Sequence, residues 1–166
     1  MSETQAGEPV DYIAETRANY DALGFPPYQW VESSGTPPWS PAEVPLHEAK
    51  IALLASGGIY RRGQRAFHYK DDASYRVIDT SVPSEDLRIS HFAYDLTDAR
   101  EDPGVVFPVD SLRSLIDEGS LGSIAPEAFT FMGGIYSARK VREELAPALV
   151  ERVVDQRPDI ALLVPV

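Results

Sequence analysis

The residues best equipped for chemistry sit in three short stretches: Ser56-Gly57-Gly58, the segment from His91 to Asp98, and Met132-Gly133-Gly134. In the second, His91, Tyr94, Asp95 and Asp98 place an imidazole, a phenol and two carboxylates close together, with spacings of four and three between His91, Asp95 and Asp98. Such a set could form an acid/base pair or bind a metal; equally, His91 could be hydrogen-bonded in place while the aspartates cap a turn. Strand alternation puts His91 and Asp95 on one side only if the strand runs that far. Ser56-Gly57-Gly58, with Gly63 beyond, could offer backbone N–H groups to an anion such as a substrate carboxylate. A GxGxxG pattern is not satisfied, and a tight turn explains the glycines as well. Gly133 and Gly134 suit either a close backbone approach to substrate or subunit, or a left-handed turn. Arg61, Arg62 and Arg65 form a local cationic patch, read as solvated or as a carboxylate contact. His47 and His68 have no ligand spacing and read as surface residues. The chain has no cysteine, so it offers no disulfide, no thiolate and no cysteine-based metal site, and no metal is expected.

Elements able to position these stretches can be read from periodicity. Residues 1–8 are small and polar and read as a disordered tail. Residues 9–49 read as a helix followed by a Pro/aromatic-rich arm. The helix carries Val10, Ile13, Ala14, Arg17 and Leu23 between Pro9 and Gly24, and the arm carries Tyr28, Trp39 and Pro41. Residues 50–166 read as an α/β domain. The run Ile51-Ala52-Leu53-Leu54-Ala55 is continuously apolar and ends at Ser56-Gly57-Gly58, the pattern of a strand buried on both faces. Residues 60–86 read as a polar excursion with a short strand at 75–78, and 87–94 alternate with period two as a second strand. Asp110 is expected to cap a helix bearing Leu112, Leu115 and Ile116 that stops at Gly119. Residues 121–125 are expected to form a brief strand. Ser137 is expected to cap the longest helix, to about Gln156, kinked or broken near Glu144 by Pro147. Residues 160–164 are again fully apolar and read as a central strand. This alternation predicts an α/β fold with a mainly parallel sheet flanked by helices.

At 166 residues and 43% hydrophobic the chain can bury one sizeable core. A formal net charge of −11 argues against nucleic acid or an anionic membrane surface as partner, since both need a concentrated cationic face. No segment approaches the roughly 18 consecutive apolar residues of a membrane span, and no signal peptide pattern opens the chain, so a cytoplasmic location is expected.

Five segments carry a resemblance in the same order along the chain: Leu23-Gly24-Phe25-Pro26-Pro27-Tyr28, Ser56-Gly57-Gly58-Ile59-Tyr60, Leu87-Arg88-Ile89-Ser90-His91-Phe92-Ala93-Tyr94-Asp95, Asp102-Pro103-Gly104-Val105-Val106-Phe107-Pro108 and Phe131-Met132-Gly133-Gly134. Together they resemble the glycine/sarcosine/betaine/D-proline reductase selenoprotein B family. The resemblance implies a cytoplasmic oxidoreductase subunit that cleaves a carbon–nitrogen bond reductively, with thiol and disulfide as redox partner. It implies selenocysteine or cysteine directly after a strand like the one at 160–164. On that expectation the chain holds the first part of a longer reductase domain, is truncated just before its nucleophile at an internal UGA codon, is incomplete at its C-terminus, and is inactive alone. A selenol suits the task because its selenolate is abundant near neutral pH and strongly nucleophilic. The resemblance further implies a small amino-acid-derived substrate, other reductase subunits, one of them bearing a pyruvoyl group, and a thiol or selenoprotein redox partner. Within the chain the substrate-binding candidates are Ser56, Gly57, Gly58, His91, Tyr94, Asp95, Gly133 and Gly134. A non-catalytic α/β scaffold or binding module holding a partner through its Pro/aromatic arm is the alternative from another class, and a metal-dependent hydrolase centred on His91, Asp95 and Asp98 is a third.

Overall fold

The computed structural model describes residues 11–27, 29 and 31–166, and its contacts divide the chain into two units at Pro38. The expected tail over 1–8, the helix start at Pro9 and Val10, and Tyr28 lie outside the described residues. In the first unit, helix α1 (Tyr12–Ala22) begins at Asp11, whose carboxylate accepts from the N–H groups of Ile13 and Ala14 at 3.1 and 3.0 Å. A carboxylate there satisfies two of the unpaired amides at a helix start. The helix ends before Gly24, whose φ of 71° suits a residue without Cβ. Its expected apolar face stays open, with Ile13, Ala14, Arg17 and Leu23 all exposed.

In the second unit, residues 39–49 lead without helix or strand into β1, and Trp39 is exposed. Strand β1 (Lys50–Ala55) pairs in parallel with β5 (Ser123–Ile124), β6 (Glu127–Phe131) and β7 (Ile160–Val164). Its carbonyls alternate between two edges. The Lys50 oxygen accepts from Asp159 N–H at 2.8 Å, and those of Ala49 and Ile51 accept from Ser123 and Ala125 at 3.0 and 2.8 Å. Thus β7 occupies one edge of β1, while β5 and β6 share the other, interrupted at Ala125-Pro126. Strand β3 (Tyr75–Asp79) closes the far side antiparallel to β6. The sheet is therefore mostly parallel and both faces carry helix, an α/β fold.

On one face Leu53, Ala55 and Ala128 pack with Val109 and Leu112 of α3 (Val109–Asp117) and with a separate antiparallel pair, β2 (Ile59–Arg61) and β4 (Leu87–Ile89). On the other, Phe129 packs against Leu145 and Leu149 of the last helix. That helix runs as α4 (Ala138–Lys140), a π-helical turn over Val141–Leu145, and α5 (Ala146–Asp155). Ser137 caps its start, its hydroxyl accepting from Lys140 N–H at 3.3 Å.

Several expectations are corrected. Pro147 does not break the helix, but the irregularity expected near Glu144 is there as the π-helical turn, in which Ala146 N–H reaches Val141 O and which absorbs the bond that proline cannot donate. The expected strand over 87–94 is only three residues long, and pairs antiparallel with β2 outside the main sheet. Asp110 is not a cap but lies in the first turn of α3, where it accepts from Ser84 Oγ and Arg113. Strand β6 was not expected at all. Among the described residues β7 pairs only with β1, so within the sheet they form it lies at the edge and not at the centre. One of its faces stays open: Leu163 is 66% exposed, beside an apolar groove of about 400 Å³ that Leu54, Val150, Val153 and Ala161 also line.

Candidate active site

All three stretches singled out by residue type meet at the carboxyl end of β1. The chain leaves β1 at Ser56, whose N–H donates to Val164 O of β7 at 3.0 Å. Gly57 then bridges to Met132, and Gly58 donates to Phe131 O at 3.0 Å while its own carbonyl accepts from Ser90 N–H at 3.0 Å. Glycine is required at 58: φ is 71°, and a Cβ there would lie 2.2 Å from Ser90 O. Pinned in this way, Ser90 delivers His91 to the sheet end.

His91 is only 5% exposed. Its Nδ1 accepts from Ala93 N–H at 3.1 Å, and its Nε2 faces Gly133 N–H at 3.2 Å. The ring lies 4.7 Å from that of Tyr94, whose hydroxyl donates to Gly57 O at 2.9 Å. Gly133 N–H donates more closely to Ser56 O, at 2.8 Å. The Ser56 hydroxyl accepts from Val166 N–H at 2.9 Å. A Cβ on Gly133 would come within 3.2 Å of Ser56 Oγ and 3.3 Å of Val166 O, so the glycine permits this close approach. Burial holds the His91 pKa below its ordinary value and pushes that of Tyr94 up. Both side chains are therefore held neutral, hydrogen-bonding groups at neutral pH.

The structure thus brings Ser56, Gly57, Gly58, His91, Tyr94 and Gly133 together, with Gly134 adjoining; the nearest neighbour a Cβ on Gly134 would meet is Ala93, at 3.9 Å. Asp95 does not join them. It is exposed, and its carboxylate accepts from Thr97 N–H and Oγ1 at 2.9 and 2.7 Å at the start of α2 (Thr97–Glu101), because the chain leaves strand geometry after Ile89. Asp98 lies within α2 and is also exposed. Among the described residues no cluster of three His, Cys, Asp or Glu side chains could hold a metal, and no helix is long and apolar enough to cross a membrane. Arg61 and Arg62 each stand 3.9 Å from the Asp86 carboxylate. His47 faces Glu48 at 3.4 Å, and exposed His68 holds its ring 4.6 Å from that of Tyr69 at a tilt of 35°. Sequence reasoning missed Ser90 and Val166, which act here through backbone groups and leave no side-chain signal.

An α/β sheet with polar groups and glycines gathered at the carboxyl ends of its strands has the layout in which such folds bind and transform small ligands. Residues 30–162 match the family model described as glycine/sarcosine/betaine reductase selenoprotein B, and the chain belongs to that family. It is similar to D-proline reductase subunit gamma of Acetoanaerobium sticklandii, 32% identical over 130 residues that take in 77% of this chain and 54% of the relative. It is also similar to glycine reductase complex component B subunit gamma of Symbiobacterium thermophilum, at 32% identity covering 71% of this chain and 29% of that protein. A further relative is sarcosine reductase complex component B subunit beta of Peptoclostridium acidaminophilum, at 27% identity covering 69% and 28%. The chain spans about half the length of the first relative and under a third of the other two. No solved structure matches it.

Proposed function

We propose that the chain is part of a selenoprotein-B-type reductase subunit, acting on a small amino-acid-derived substrate at the carboxyl end of β1 and β7. The observation that carries this reading is the meeting of Ser56, His91, Tyr94 and Gly133 beside Val166 in a member of a family whose relatives are named for D-proline, glycine and sarcosine reduction. When present, a selenolate or thiolate supplies the nucleophile for breaking the carbon–nitrogen bond, and two thiols supply the electrons and become a disulfide. This chain holds no cysteine. The reactive residue is proposed to follow Val166 directly in a longer chain, and a pyruvoyl group on a partner subunit to activate the substrate nitrogen. The residues here fit that placement. Ser56 fixes the backbone of Val166, Tyr94 fixes the turn at Gly57, and Gly133 leaves room where a side chain would intrude. The relatives' names as subunits and complex components support work in a multi-subunit assembly.

Reading the coding DNA beyond the Val166 codon tests the placement. A UGA or cysteine codon followed in frame by cysteine-bearing sequence is expected. UAA or UAG with no coding continuation contradicts it and favours a non-catalytic scaffold.

A further inference from the structure

His91 has one proton more than its protein partners can accept. A neutral imidazole carries one N–H and one bare nitrogen, yet both ring nitrogens of His91 face backbone N–H groups, Ala93 at Nδ1 and Gly133 at Nε2. The two contacts are not equivalent. Ala93 N–H has no other acceptor among the described residues, so putting the proton on Nδ1 would cost it that bond and leave it to solvent, Ala93 being exposed. Gly133 N–H already has its shorter bond, 2.8 Å to Ser56 O, and loses only the longer arm of 3.2 Å. The cheaper arrangement puts the proton on Nε2, where it faces no acceptor in the described chain. A doubly protonated ring would face both N–H groups with like donors, and burial already disfavours the charge.

A second donor lies alongside. The Ser56 hydroxyl accepts from Val166 N–H, and its own O–H has no acceptor among the described residues. Ser56 and His91 are 8% and 5% exposed, and both lie against Gly133, which is itself exposed. Two nearly buried neutral donors set against one exposed glycine suit a planar, two-oxygen acceptor.

We propose that His91 Nε2–H and Ser56 O–H bind the carboxylate of the amino-acid substrate, so that His91 is a substrate-positioning residue specific for α-carboxylates. This rests on the reductase reading, which needs a substrate whose reacting carbon adjoins a carboxylate.

The test uses the 166-residue chain labelled with ¹⁵N-histidine. Long-range ¹H–¹⁵N correlation spectra report which ring nitrogen carries the proton, and His91→Gln identifies the His91 signals among the three histidines. The expected result is protonated Nε2 and bare Nδ1, with Nε2 shifting on addition of D-proline, glycine or sarcosine but not of pyrrolidine, which lacks the carboxylate. Ser56→Ala should weaken the response at least several-fold. A protonated Nδ1 overturns the proposal, as does an Nε2 signal indifferent to the carboxylates (a proton shared with water only) or equally responsive to pyrrolidine. A carboxylate response in a protein whose longer form shows no thiol-dependent reduction would instead retain this site and sink the reductase reading.

Discussion

Gly58→Ala measures how tightly the carboxyl end of β1 is tied to the segment that presents His91. Gly58 and Gly119 have nearly the same φ, 71° and 73°, but their surroundings differ. A Cβ at 119 meets nothing within 4 Å, whereas one at 58 would lie 2.2 Å from Ser90 O. The left-handed conformation alone costs an L-residue about 1–2 kcal/mol, and both variants bear that cost. At 58 the backbone must in addition yield by roughly 1 Å to restore van der Waals contact. That displacement breaks or weakens the bonds from Ser90 N–H to Gly58 O and from Gly58 N–H to Phe131 O, each worth about 1 kcal/mol net. Gly58→Ala is therefore expected to lose about 3–4 kcal/mol and Gly119→Ala about 1–2 kcal/mol. Urea unfolding followed by circular dichroism, with an unchanged slope, gives both values. Equal losses in the two variants would refute the claim that Gly58 and Ser90 form a rigid joint.

Leu53→Ala, at a fully buried position in the middle of β1, should cost about 2–5 kcal/mol; a loss below about 1 kcal/mol in urea unfolding would show that β1 is not the centre of the core. Tyr94→Phe removes the donor to Gly57 O and should cost about 1 kcal/mol without altering the circular dichroism spectrum, a prediction contradicted by unchanged stability. The folded-state pKa of His91 lies below its ordinary value of 6.5 because of burial. As pH falls, the unfolded chain therefore takes up that proton first, so stability is intact above about 6.5 and declines as pH drops towards the folded pKa. In urea titrations across this range His91→Gln should show a shallower decline than the parent, and parallel curves would contradict the assignment.

The parts of the fold legible in the sequence were those fixed by local pattern. Residues 51–55, five apolar residues in a row ended by Ser56-Gly57-Gly58, have the pattern of a strand covered on both faces, and β1 is one. Ser137 and Gly119 mark helix ends through short-range hydrogen bonding and a positive φ. What escaped depended on distant partners. Strand β6 contains Glu127 and Thr130, and becomes a strand because β1 and β3 pair with it on either side. β7 is as apolar as β1, so composition alone gives no sign that one of its edges and one of its faces are open. The alternation over 87–94 misled because Ser90 N–H is captured by Gly58 O, after which the chain turns and folds the His91 ring back onto Ala93. For the site, glycines at strand ends and a histidine near a tyrosine were visible as residue types. Their meeting was not, since the bonds that gather them join residues 42 and 110 positions apart.

Thiol-dependent reduction tests the central claim most directly. A longer form made with selenocysteine or cysteine immediately after Val166, combined with the partner subunits that the proposed function calls for, is supplied with a dithiol and with D-proline, glycine, sarcosine or betaine in turn. The expected result is stoichiometric loss of dithiol and cleavage of the carbon–nitrogen bond of one of these substrates, abolished when that residue is serine. Equal turnover by the serine form, or turnover by the 166-residue chain alone, would contradict the account.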